Sequence, residues 1–202
     1  MALTGAHAPG ATPLSAEDLQ GLKIPTITTH GELNRAEAAN IVSGQEWALR
    51  SRLAHMPDML SDAFLQRLHK QMFGVVWRWA GKYRTSDTNI GVAHHLIRQE
   101  LRRVYDDVRS WLAYNSYPPD EFATRLHYRI VAVHPFPNGN GRHARMLAHL
   151  AMVRHFKTEP LTWGGGILQN ADPNRSAYIE ALAAADRHDF GPLLQFARSR
   201  GA

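Results

Sequence analysis

The chain of 202 residues has no cysteine. Disulfides, thiolate nucleophiles and cysteine-held metals are therefore excluded. It has no apolar run near the roughly 20 residues that cross a bilayer, so no membrane-spanning helix is expected. Met1 to Pro13 lack a basic segment followed by an apolar core. No secretory signal is expected there, and a cytoplasmic location follows by default. Internal repeats and low-complexity linkers are missing. Lys and Arg are scattered rather than gathered into a stripe, so direct nucleic-acid binding is not expected. The histidines lack metal-ligand spacing: His94 and His95 are adjacent, and His143 and His149 miss the i, i+4 relation of a helical ligand pair.

What remains is an ordinary globular composition, 44% hydrophobic and 20% charged, enough for one domain with a sizeable core. The formal charge of +5 suits anions such as nucleotides or acidic partners.

Residues 1–25 hold Gly5, Pro9, Gly10, Pro13 and Pro25, which predicts an extended arm. Thr29-x-x-Glu32 has capping-box spacing and predicts a helix start. Leu60, Phe64, Leu65, Leu68 and Met72 recur at helical spacing, and this pattern is expected to end near Gly81. The stretch 85–95 mixes turn and β-branched residues, which predicts a short hairpin. Ile97, Leu101, Val104, Val108 and Trp111 share one helical face, and Pro118-Pro119-Asp120 opens the next helix. That helix must stop before Pro135. Another is expected from about Asn140 to Phe156, and Asp172-Pro173 predicts a capped helix start. The fold class is all-α with one small β-hairpin.

The chemistry concentrates at His134 to Arg145. Gly139, Asn140 and Gly141 stand where a new helix begins, and glycines let backbone N–H groups approach a ligand. A helix N-terminus adds partial positive charge and free donors, which suits phosphate. Arg142 and Arg145 lie three apart in the first turns, so both are expected on the same side. Paired guanidinium groups suit a polyphosphate. His134, at the end of the preceding helix, can accept a proton near neutral pH.

The run His134-Pro135-Phe136-Pro137-Asn138-Gly139-Asn140-Gly141-Arg142-His143-Ala144-Arg145 resembles the Fic/Doc signature, His-Pro-Phe-x-(Asp/Glu)-Gly-Asn-Gly-Arg-x-x-Arg. The resemblance extends over most of residues 28–198, including Leu68-His69-x-x-Met72-Phe73, Trp77 to Arg84, and Arg175-x-x-Tyr178. It is strongest toward the group called mobile mystery protein B. It implies a single Fic-type helical bundle over 26–202 and protein adenylyltransferase activity, with AMP passing from ATP to a hydroxyl of a target protein. His134 would be the general base. Asn138, Gly139, Asn140, Gly141, Arg142 and Arg145 would bind the nucleotide, both arginines also acting in transfer. The hairpin would be a flap that pairs with an extended target segment. A small antitoxin-like partner is a further implication.

Asn138 departs from the signature, which has a carboxylate there to hold Mg²⁺. A neutral amide is a weaker metal ligand. The resemblance thus leaves open Mg²⁺ at Asn138, a Doc-type phosphotransferase, and a catalytically weak nucleotide-binding, toxin-like module. Thr28 to Asn34 also resembles the family's inhibitory motif, in which Glu32 would pair with Arg145. The same Glu32 fits the capping box, and the residues alone do not choose between the two.

Overall fold

The computed structural model describes residues 14–165 and 173–200. The described residues form helices α1 (Ala16–Gln20), α2 (His30–Arg50), α3 (Asp62–Phe73), α4 (Ile97–Tyr114), α5 (Pro119–Val133), α6 (Asn140–Leu150), α7 (Pro173–Asp186) and α8 (Gly191–Arg198). A π-helical turn, Ala151–Phe156, continues α6 over the stretch expected as one helix. Asp172, expected as a cap, lies outside the described residues.

Local sequence accounts for most helix ends. Thr29 caps α2: its hydroxyl accepts from Glu32 N, and the Glu32 carboxylate accepts from Thr29 N in return. Ser61 caps α3 through Phe64 N. Pro119 opens α5, where a missing N–H costs nothing. Asn115 closes α4 in the left-handed region at φ 48°, a conformation asparagine tolerates.

The periodic apolar residues bury as a set. Phe64, Leu65, Leu68 and Met72 of α3 meet Leu33, Ile41 and Ala48 of α2 in the larger core, together with Leu101 of α4, Leu126 of α5 and Leu147 of α6. A second cluster joins Ala148 and Met152 to Tyr178, Leu193 and Phe196 of the C-terminal helices. α6 contributes to both clusters, so its N-terminus is held from two sides.

Three expectations need correction. The segment expected as an extended arm is folded from Leu14 onward: Ser15 caps α1, Lys23 N bonds Val76 O at 2.9 Å, and Arg78 N bonds Gly21 O at 2.8 Å. The α3 pattern ends at Phe73, not near Gly81: Gly74 caps the helix, and the turns that follow give Val76 O and Arg78 N to this N-terminal segment. No strand forms over 85–95; an isolated β-bridge pairs Leu22 with Trp77. The carbonyls of Ser86 and Val92, which a hairpin ladder would use, accept instead from the Arg84 guanidinium. Asp87 takes His94 N at 2.7 Å. Among the described residues no helix is long and apolar enough to cross a membrane.

Thr29→Ala should lower the unfolding free energy by about 1 kcal/mol, the usual worth of such a cap. Urea denaturation of wild type and variant tests this, and an unchanged midpoint would mean α2 is held by packing alone.

Candidate functional site

Four segments meet at the loop between α5 and α6. His134 is the C-cap of α5 and sits at φ 54°. For a non-glycine residue this is an unusual conformation, of the kind held in place at functional sites. The hold comes from Arg84. Its backbone N–H donates to Pro135 O at 2.9 Å, and its Nε donates to His134 O at 2.8 Å. The same guanidinium binds the carbonyls of Ser86 and Val92. One buried side chain therefore joins the 85–93 loop to the backbone of the proposed base.

Gly91 completes that approach. A Cβ there would come within 2.4 Å of His134 Cβ and 3.1 Å of Arg84 Nη2. Its φ of 94° is also unsuited to a side chain.

His134 is 6% exposed. Burial holds its pKa down at about 4, the Arg84 charge adds to that, and a hydrogen bond to the Val131 backbone partly offsets both. The imidazole is neutral at physiological pH, as a proton acceptor must be.

The turn after His134 is closed by Asn140. Its Oδ1 accepts from Phe136 N at 2.9 Å, and its Nδ2 donates to Phe136 O at 2.8 Å. Asn140 is expected among the nucleotide-binding residues; its side chain is engaged within the loop, which leaves its backbone N–H in the first turn of α6. Phe136 is fully buried against the ring of His69, their centroids 3.8 Å apart. Gly81 N donates to His69 Nδ1 at 3.0 Å, so Nε2 carries the proton and donates to Asn138 O at 3.0 Å. His69 thus pins the loop to the 81 turn.

Gly139 is the N-cap of α6 at φ 80°, and no side chain caps this helix. A Cβ on Gly139 would meet Phe73 at 2.6 Å. The first-turn N–H groups of Asn140, Gly141 and Arg142 have no acceptor one turn back, which leaves an anion site.

The two arginines lie near this helix end, each over a different aromatic ring. Arg142 lies over Phe73 at 4.8 Å, and its Nη2 donates to Asn138 Oδ1 at 3.3 Å. Its Nη1 pairs with Glu37 at 2.6 Å. Arg145 turns to the other side and lies over Tyr178. The Tyr178 hydroxyl is in turn 2.9 Å from His127 Nε2.

Asn138 does not fit a Mg²⁺ ligand. Its Oδ1 accepts from Gly139 N and from the Arg142 guanidinium, so a cation there would face a fixed positive charge. Among the described residues no cluster of three His, Asp or Glu side chains could hold a metal.

Glu32 and Arg145 are not brought together. The Glu32 carboxylate accepts from Thr28 N at 2.9 Å and Thr29 N at 3.0 Å. These bonds hold its pKa below the usual value. The carboxylate that reaches the loop is Glu37, 3% exposed, whose other oxygen accepts from Trp77 Nε1 at 2.7 Å.

In the sequence reading Glu37 is not named, and His69 and Arg84 stand only within the resemblance motifs, with no role given to them. A signal existed for the first two. Glu37 sits four residues after Leu33 and four before Ile41, on the buried stripe of α2. His69 falls beside Leu68 on the buried stripe of α3. A polar residue at a core position needs a partner. Arg84, in irregular chain, had no such periodic frame.

Burial also lowers the pKa of His69, His127 and His143, the last to about 4. The unfolded chain takes up these protons near pH 6.5, whereas the native chain resists them. Stability should thus fall as pH drops from about 6.5 toward 4, by up to about 1.4 kcal/mol per pH unit for each histidine. Urea unfolding at neutral pH and about pH 5 tests this; a flat profile would mean the native histidines charge freely.

The profile of the Fic/DOC family matches residues 59–152, which contain the whole loop. Over 169 residues the chain is 34% identical to protein adenylyltransferase fic-1 of Caenorhabditis elegans, a stretch covering 78% of this chain and 31% of that protein. It is 28% identical over 166 residues to protein adenylyltransferase Fic of Nematostella vectensis, covering 78% and 36%. The chain spans about a third of the length of these curated relatives. The solved structure of Fic-1 residues 134–508 from C. elegans superposes with a TM-score of 0.61 at 26% identity, covering 89% of this chain and 56% of that one. BepC of Bartonella tribocorum shares the fold, with a TM-score of 0.67 at 16% identity, covering 91% and 97%. By the loop, the fold and the family profile, residues 59–152 of the chain form a Fic/DOC-family segment.

Proposed function

We propose that this chain is a protein adenylyltransferase that moves AMP from ATP to a hydroxyl of another protein. One observation carries the reading. A buried neutral His134 is held at a left-handed corner, where the chain turns into a helix N-terminus with no side-chain cap. The relatives named protein adenylyltransferase support it.

In this reading the target hydroxyl oxygen attacks the α-phosphorus of ATP. Its proton passes to His134, and the bond to the β-phosphate oxygen breaks, so pyrophosphate leaves with the electron pair. The first-turn N–H groups of α6 hold phosphate oxygens, and Arg142 and Arg145 balance the developing charge from either flank. The exposed Asn89–Gly91 stretch lies beside His134 and offers backbone groups to an extended target segment.

Glu37 supports Arg142 in this scheme rather than withholding it. A guanidinium has five N–H donors, and Glu37 and Asn138 engage only part of them. Stripping Arg142 away would leave a buried carboxylate unpaired, at a cost on the order of 3–5 kcal/mol. The pair is therefore a fixed mount. Of the two roles open to Glu32, the cap is the one this scheme uses, since its carboxylate bonds to Thr28 N and Thr29 N.

The test is incubation with ATP labelled on the α- or the γ-phosphate, with a mixture of candidate proteins as acceptor. α-Label should appear on protein and γ-label should not; the reverse would identify Doc-type phosphotransfer. His134→Ala should reduce transfer by about 10²–10⁴ while nucleotide binding persists. Glu37→Gln should reduce transfer by about tenfold or more, equivalent to 1.4 kcal/mol, together with nucleotide affinity. Activation by Glu37→Gln would instead mark Glu37 as a restraint on Arg142.

A further inference from the structure

A cavity of about 540 Å³ opens beside the loop, between the 81–85 turn and the start of α4, with Gln66 of α3 at its wall. Its lining includes five basic side chains, Lys82, Arg84, His94, His95 and Arg98, and no carboxylate. Three of the five are already engaged. Arg84 is spent on carbonyls, as described. Arg98 pairs with Asp62 at 2.9 Å and lies over the Tyr83 ring, and His94 meets Asp87 at 2.9 Å. Lys82 and His95 are exposed, and among the described residues neither forms an ion pair. A recess with this lining favours an anion.

The position narrows the ligand. Arg84 forms part of the cavity wall and also donates to His134 O. A group in the cavity is thus one side chain away from the backbone of the proposed base. The nucleotide phosphates already have a cradle at the α6 N-terminus. A nucleic acid would need unpaired cations spread over a surface. Here the exposed Arg103 and Arg109 are paired with Glu100 and Asp106 of their own helix, and Arg129 is paired with Asp107. An open recess with a few convergent cations suits a side-chain carboxylate on a flexible segment.

We infer that this cavity receives an aspartate or glutamate of the target protein, a few residues along the chain from the hydroxyl that is modified. The inference deepens the transferase reading and rests on it for the identity of the ligand as an acceptor protein. It makes the chain selective for hydroxyls in acidic segments. Lys82 supplies the mobile charge that closes on the carboxylate, Arg98 adds positive charge to the wall, and His95 offers a ring N–H. None of these three touches the helix end that holds the nucleotide.

The experiment uses the full chain and two fluorescent synthetic peptides of equal length. Each has a single serine, flanked in one by Asp and Glu and in the other by Lys. Affinity is read by fluorescence anisotropy without nucleotide, and transfer is read in parallel with α-labelled ATP. The acidic peptide should bind at least about tenfold more tightly than the basic one, and the gap should shrink with added salt. Lys82→Glu should remove most of that gap, Lys82→Arg should keep it, and neither should change the melting temperature, since Lys82 is exposed. Equal affinity for both peptides, or a gap untouched by Lys82→Glu, would overturn the inference. So would tighter binding of a short oligonucleotide or of inorganic phosphate at the same residues. Selective acidic-peptide binding with no label transferred supports the cavity assignment and removes the transferase reading. Transfer to both peptides alike keeps the transferase reading and overturns the cavity assignment.

Discussion

The paired hydrogen bonds between the Asn140 amide and both backbone groups of Phe136 set the shape of the site. They close the turn between α5 and α6 from within. Phe136 can then sit fully buried under His69, and the helix that begins at Asn140 points its unbonded N–H groups outward. Without this closure the loop would need other partners for two buried backbone groups, since an unpaired one costs on the order of 1–3 kcal/mol. A neutral side chain is needed for the task, because it must donate and accept at once.

Around this closed turn the protein places its charges in layers. The buried histidines stay neutral because burial disfavours their cations, so they act as hydrogen-bonding struts. Arg84 is the opposite case. Its charge is buried but spread over several carbonyl dipoles, an arrangement that suits a guanidinium and would not suit a compact ammonium. It joins three pieces of irregular chain: the residues around Ser86, those around Val92, and the His134 corner. Glu37 and Arg142 form the one buried ion pair at the site, and the indole of Trp77 completes the carboxylate's hydrogen bonds. Such pairs specify geometry more than they add stability.

The two cores give the site its stiffness. α3 presses on it from one side through Phe73 and His69, with Glu37 of α2 beside them, and α7 presses from the other through Tyr178. Arg142 belongs to the first side and Arg145 to the second.

The helices were legible because their signals are local. Leu60 to Met72 repeat at three and four, Thr29-x-x-Glu32 caps, Pro119 opens and Pro135 stops, and each acts within one turn of chain. The loop was legible for a related reason: His134, Gly139, Gly141 and Arg142 are contiguous, so their spacing already fixes a histidine ahead of a phosphate-type helix start. What the tertiary structure alone decided is who meets whom across the fold. The separation of Glu32 from Arg145 and the bond from Arg84 to the His134 carbonyl depend on residues far apart in sequence. So does the partnership of Glu37 with Arg142, separated by 105 positions. Periodicity states that a carboxylate on a buried stripe needs a partner; only the packing of α2 against α6 names it.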